Sequence, residues 1–450
     1  VPKVGERRPD LDPADAERRD SIAMEDMLTE AARRLGVTGA QAAVIAEGEL
    51  RVAATGTANA ELGIPMGPRT LIQIGSTTKL HTAVLVMTLV DEGLVDLDTP
   101  VRRYLPELRL ADEEAARSVT PRHLLSMTSG IDNGRYDDDH DDPLGYLSTF
   151  ADMDTLFAPG DGYSYSNAST VVSGALVARL TGLSWDEALR RRVFEPLGLR
   201  DCLTLWEELP YHRVAVGHAP DGSVVRPWAL ARGSGPAGST LCSTAADLAR
   251  FGELFLRDGG GVLSPGACAA MQVPQVALPT RRFADEWCLG PYRRDFCGLE
   301  VFGHSGTNLG GSSTLLWAPS TGAVVAVVCN TPRAGYPLAA EVAAHVLGAA
   351  PADVEPVTRQ TTDPGRYEGR YAACDLRYDV TSADGVLTVT LEETATGRPS
   401  PPVALLPLDG DRFLPEVDLS GGRGWDLAFV VEDGRAVRLV SGAFAARRVR

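Results

Sequence analysis

The sequence predicts an α+β fold: an antiparallel sheet built from both ends of a long first domain, a helical region between them, and a small all-β module at the C-terminus. Three observations predict it. Strand-like segments occur early (41–46 and 50–56) and late (300–303, 314–317 and 323–329), with helical patterns between. The chain has 450 residues, more than one core usually supports. After Leu347 the composition changes: 351–364 is rich in Pro, Thr and Asp, and 365–450 carries short alternating segments separated by turns. The predicted organisation is a loosely ordered lead-in over 1–20, a first domain over 21–350, a linker over 351–364 and a β module over 365–450.

Taken in order, 21–35 has the spacing of an amphipathic helix, and Glu47-Gly48-Glu49 is the turn between the first two strands. Residues 71–74 form an extended lead into Gly75-Ser76. Residues 78–92 are apolar on nearly every side, as in a helix buried at the centre of a domain, and Gly93 ends it. Pro121 suits the first turn of a helix over 120–127. The acidic run Asp137–Asp142 lacks the Gly and Glu of a calcium loop and reads as solvated. Helices are predicted over 171–180, 185–193 and 245–256, and Pro319-Ser320-Thr321-Gly322 turns between two late strands. In the last module, strands are predicted over 376–380, 385–392, 412–417, 425–431 and 436–440. Roughly eight such short strands make a small barrel or sandwich.

Composition bounds the function. A net charge of −17 argues against nucleic acid or an anionic membrane as a partner, since both are polyanions. The seven cysteines form no Cys-x-x-Cys and are odd in number, which suits a reducing compartment better than a disulfide framework. The seven histidines have no metal-ligand spacing, and neither a metal nor a cofactor is predicted. No apolar run reaches membrane-spanning length, so a cytoplasmic protein is expected. Because the chain starts at Val1 rather than Met, a leader removed upstream stays an open alternative.

The basic residues carry the first chemical signal. Only Lys3 and Lys79 are lysine, and every other Lys or Arg is arginine. Arginine keeps its proton at neutral pH, whereas a desolvated lysine can lose it and act as a base. Ser76 lies three residues before Lys79, on the same helical face and at the helix N-terminus, where backbone N–H groups point at whatever the hydroxyl attacks. That is a serine nucleophile with a built-in base. Two further clusters join it. Tyr165-Ser166-Asn167 offers a phenol as proton shuttle and an amide to orient the base or bind substrate. Gly303-His304-Ser305-Gly306-Thr307, at the start of the late strands, offers His304 as a donor or base. Gly306 lets the strand's backbone approach the substrate, and the Thr307 N–H can help that of Ser76 bind an oxyanion.

In the order Ser-x-x-Lys, Tyr-x-Asn, His-x-Gly, these clusters resemble the serine β-lactamase and penicillin-binding-protein superfamily. The flanking segments 120–130, 157–160, 194–199 and 236–241 strengthen the resemblance, which covers about 22–348. It is nearest to the class C-like branch, with its family VIII esterases, D-amino-acid peptidases and penicillin-binding-protein-type thioesterases that release and cyclise peptides. The resemblance implies Ser76 as acylated nucleophile, Lys79 as its activator, Tyr165 as shuttle and Asn167 as a substrate contact. His304 stands where β-lactam-hydrolysing members have a lysine, which shifts the expectation from β-lactams to ester, peptide or acyl-transfer chemistry. The implied partner is a small molecule or peptide, with a carrier-bound peptidyl thioester as one alternative. A lipocalin-like barrel leaning over the cleft is also implied, and with it a role for Arg447, Arg448 or Arg450 in binding a carboxylate, against the alternative of a solvated basic tail. A non-catalytic penicillin-sensor-like module is the reading from a different class.

Overall fold

The computed structural model describes residues 13–134, 140–350, 363–419 and 424–449. Strands Gly39–Ala46 and Ala323–Cys329, from the two ends of the first domain, pair antiparallel from Ala40↔Cys329 to Ile45↔Val324. Around that seam, strands Glu49–Asn59 and Ile64–Pro65 lie on one side. Ser312–Ala318, Leu299–Thr307, Tyr292–Phe296, Glu286–Trp287 and Val276–Ala277 follow on the other, giving nine strands. Period-two alternation sorts the seam into two cores. Ala43, Ile45, Val324, Ala326 and Val328 face the helical region, while Ala42, Val44, Val325 and Val327 face the helices Pro13–Arg34 and Gly335–Leu347. The predicted α+β architecture is therefore the observed one.

Several boundaries differ from the sequence reading. The first helix starts at Pro13, inside the predicted lead-in, because Pro13 suits a first turn and Ala14 to Arg19 are mostly good helix formers. The helix predicted over 185–193 widens along its length, as the α-helix Trp185–Leu189 passes into a π-helical stretch over Arg190–Phe194. Leu299–Thr307 runs through the His304 cluster, so His304 sits inside a strand rather than ahead of one. Most of the predicted linker (351–362), part of the acidic run (137–139) and Arg450 lie outside the described residues. Asp142, at the end of that run, caps the short helix Pro143–Tyr146 by accepting from the Gly145 N–H.

In the C-terminal module eight strands close into a barrel. Gly369–Ala372 pairs with Leu376–Ala383 on one side and with the final strand Phe444–Val449 on the other. Tyr367, Tyr371, Tyr378, Phe413, Phe429 and Leu439 fill its interior. The barrel is fastened to the first domain by backbone and side-chain bonds. Tyr165 N–H donates to Ala443 O at 2.8 Å, Ala445 N–H to Ser164 Oγ at 3.1 Å, and Cys374 N–H to the buried Asp132 carboxylate at 2.8 Å. Among the described residues no helix is long and apolar enough to cross a membrane.

Candidate active site

Ser76 lies in the single helical turn Gly75–Thr77, which feeds the buried helix Thr78–Asp91. Polar contacts hold that turn against the sheet: Ser313 Oγ donates to Ile74 O at 2.6 Å, and Thr77 Oγ1 and Ser313 Oγ share a hydrogen bond of 2.7 Å. One helical turn on, Lys79 is only 2% exposed, beneath the half-buried Ser76. Its Nζ is 3.0 Å from Ser76 Oγ and 2.6 Å from Ala237 O. Burial pushes the Lys79 pKa well below the ordinary lysine value, so the neutral amine that a base requires becomes accessible. The Ala237 contact was not foreseen from sequence. It depends on the segment Pro236-Ala237-Gly238 packing onto the helix, where Thr82 Oγ1 donates to Pro236 O at 2.9 Å.

Glycine lets the backbones close around the nucleophile. A Cβ on Gly306 would stand 2.0 Å from Ile74 O and 2.7 Å from Ser76 N. Strand Leu299–Thr307 therefore lies directly against the nucleophile turn and brings Thr307 beside Ser76.

Tyr165 is buried, with its ring centroid 4.8 Å from Lys79 Nζ and edge-on to Trp287 and Phe444. Asn167 opens the helix Asn167–Thr181, and its N–H donates to Asn133 Oδ1 at 3.1 Å. His304 is 1% exposed among Tyr165, Trp287 and Tyr292. Its Nδ1 is 2.8 Å from Ser305 O, and a carbonyl only accepts, so Nδ1 carries the hydrogen and Nε2 is left as an acceptor. For His304, expected as donor or base, this tautomer presents an acceptor nitrogen at Nε2. Burial, with the Lys79 charge adding to it, lowers the His304 pKa to about 3. The unfolded chain takes up a proton that this ring refuses, so the fold loses stability as pH falls from about 6.5 toward about 3. The ring stays neutral at ordinary assay pH. Replacing His304 by Gln is therefore expected to lower activity without moving the acidic limb of the kcat/KM profile. A limb that vanishes with the substitution would assign it to His304.

Ser76, Tyr165, Asn167, His304, Gly306 and Thr307 all line one cleft of about 520 Å³, with Lys79 just below it. The barrel contributes to its wall through Asp375, Trp425, Ala443 and Phe444, as the resemblance implied. Arg447 and Arg448 belong to the final barrel strand rather than to a tail, and neither lines the cleft. Arg447 pairs with Asp154 at 2.8 Å, and Arg448 donates to Ala436 O and Glu368 O while lying over the Tyr371 ring. The cleft's arginines are instead Arg282 and Arg333, neither foreseen. Arg333 holds a left-handed φ of 68°, rare for a residue with a side chain, and its N–H donates to Thr307 Oγ1 at 3.0 Å.

Residues 24–348 match the family model described as Beta-lactamase. The chain is 39% identical over 312 residues to Penicillin-binding protein 4 of Amycolatopsis lactamdurans, covering 65% of this chain and 81% of that protein. It is 36% identical over 218 residues to Esterase EstB of Burkholderia gladioli, covering 42% of this chain and 54% of the esterase. Among solved structures, SurE superposes with a TM-score of 0.81 at 28% identity, covering 97% of this chain and 100% of SurE; it has also been solved with D-Leu. The D-amino acid amidase of Ochrobactrum anthropi SV3 superposes with a TM-score of 0.59 at 26% identity, covering 70% of this chain and 91% of the amidase.

Proposed function

Because this chain belongs to the beta-lactamase family, we propose that it is a serine acyl-enzyme hydrolase or acyltransferase acting on peptide-type amides, esters or thioesters with a D-residue at the acyl position. The observation that carries the reading is Ser76 Oγ at 3.0 Å from a buried, pKa-depressed lysine. Neutral Lys79 takes the Ser76 proton as Oγ attacks the carbonyl. The N–H groups of Ser76 and Thr307 stabilise the oxyanion, and collapse returns the proton to the leaving group, with Tyr165 as the shuttle. An incoming water or amine then gives up a proton by the reverse route and releases the acyl group.

The D-residue is supported by the D-Leu solved with SurE and by the D-amino acid in the amidase's name. The cleft volume lies in the range of small-molecule sites, which suits a substrate held through a few residues next to the reacting bond. Neutral His304 supplies no cation for a β-lactam carboxylate, so slow β-lactam turnover is expected. A second reading has an observation of its own. Trp425 and Phe444 of the barrel give the cleft an apolar wall that limits water, which favours attack by an amine of the same peptide and hence cyclisation.

Intact-protein mass after mixing with a peptidyl ester ending in D-Leu tests both. An acyl adduct is expected on the wild type and none on Ser76→Ala; equal adducts on the two proteins would overturn the reading. Release of the linear acid identifies a hydrolase, and a product one water lighter identifies a cyclase.

A further inference from the structure

Asp375 is a barrel carboxylate that lines the cleft, and no part of the acyl chemistry uses it. It sits in the turn joining strands Gly369–Ala372 and Leu376–Ala383, and faces both the main cleft and a narrow recess beside Asn133, Tyr165 and Phe444. The turn is held in place. Cys374 N–H donates to the Asp132 carboxylate at 2.8 Å, and Asp375 O accepts from Thr394 N–H at 2.9 Å.

The carboxylate itself is barely engaged. Oδ2 is 3.5 Å from Asn133 Nδ2, and Oδ1 is 3.8 Å from Cys374 Sγ, so most of its acceptor capacity is unspent. Nearby acids of the barrel differ. Asp379, Glu392, Asp411, Asp426 and Glu432 are each ion-paired with an arginine, and Asp375 is paired with none among the described residues. Asn133 also accepts from the Asn167 N–H, so a single side chain separates Asp375 from the residue next to the reacting centre. Arg333, whose N–H is bonded to Thr307, also lines the cleft.

We propose that Asp375 is an ammonium-binding residue of this cleft, so that substrates are selected by a free amine as well as by their acyl carbonyl. This rests on the cleft being the acyl site. An ammonium group brings three donors to an exposed carboxylate with free lone pairs, carried on a turn whose backbone is already fixed. The ammonium can be the α-amine of the acyl residue itself or the amino terminus of a longer peptide, and the probes separate these.

Calorimetry on the Ser76→Ala protein at about pH 6.5, where an α-amine is protonated, reads binding without turnover. The ligands are D-leucinamide and its N-acetyl form, then a hexapeptide amide ending in D-Leu with a free or an acetylated amino terminus. In one of the pairs the free amine is expected to bind about five- to tenfold more tightly, as a partly screened charge-assisted contact would give. Adding Asp375→Asn should bring that ratio close to one, and Asp375→Arg should reverse it. The pair that shows the preference identifies which ammonium is held. No preference in either pair, no binding of any of the four ligands, or a preference that survives Asp375→Asn would overturn the proposal. Failure of the acyl chemistry would appear separately, as a missing mass adduct on the wild-type protein.

Discussion

Replacing Lys79 by Arg is expected to lower kcat/KM for acylation by about 10³-fold, the scale of a lost general base. The substitution keeps a positive charge on the same helical face and so separates two roles. If the charge alone were needed, Arg would serve. If a proton acceptor is needed, Arg fails, because a guanidinium stays protonated throughout the working pH range. The geometry favours the second role. Lys79 is buried, faces one hydroxyl, one backbone carbonyl and the Tyr165 ring, and is ion-paired with no carboxylate among the described residues, so burial outweighs what favours the charged form. The same depression gives the pH dependence its sign. Between the lowered pKa of the folded protein and about 10.4, the unfolded chain holds a proton on this lysine that the folded chain does not, so its contribution to stability rises with pH across that window. Acylation should likewise fall on acidification as the amine takes up its proton. Stopped-flow acylation by a peptidyl ester, with circular dichroism to confirm folding, reads the effect. Turnover within tenfold of wild type would place the base elsewhere.

What was legible in the sequence was local. Ser76 and Lys79 could be paired because a helix brings residues three apart onto one face, and the strands through Ala43 and Val325 because near-continuous apolar runs mark a sheet with two covered faces. The contacts that complete the site connect distant parts of the chain. Ala237 reaches Lys79 from 158 residues away, and Asp132 meets Cys374 across 242. No periodicity records such pairings. Trp425 and Phe444 lie in or beside strands of a small barrel, where an aromatic reads as core, and their part in the cleft wall follows only from how the barrel docks. His304 was singled out by its motif, but its neutrality comes from Trp287, Tyr165 and Tyr292 closing around it. The strand through Gly303 and Gly306 was underestimated because glycine weakens strand propensity, whereas pairing to Ser312–Ala318 sets it in place.

Barrel docking is where the second large effect is expected. Asp426 is fully buried, and its carboxylate accepts from the N–H groups of Arg281 and Arg282 at 3.0 and 3.1 Å and from Arg412 Nη1 at 3.1 Å. One side chain thus fixes the first-domain loop carrying Arg282 and Phe283 of the cleft wall to a barrel cation. Asp426→Ala would take from the buried Arg412 guanidinium one of its two carboxylate partners, leaving it Asp409 alone, and would leave two backbone donors without acceptors. The expected cost is about 3–5 kcal/mol, read as a lower urea midpoint. Asp426→Asn keeps one acceptor oxygen in place and should lose less than half of that. Both substitutions leave Ser76, Lys79 and the Ala237 carbonyl untouched, so the functional consequence should divide. KM for a peptide ester is expected to rise several-fold as the Phe283 wall loosens, while acylation by a small acetyl ester, which needs little of that wall, changes less. Equal losses on both esters would mean that the barrel acts on the reacting groups themselves, through the bond from the Tyr165 N–H to Ala443, rather than on substrate fit.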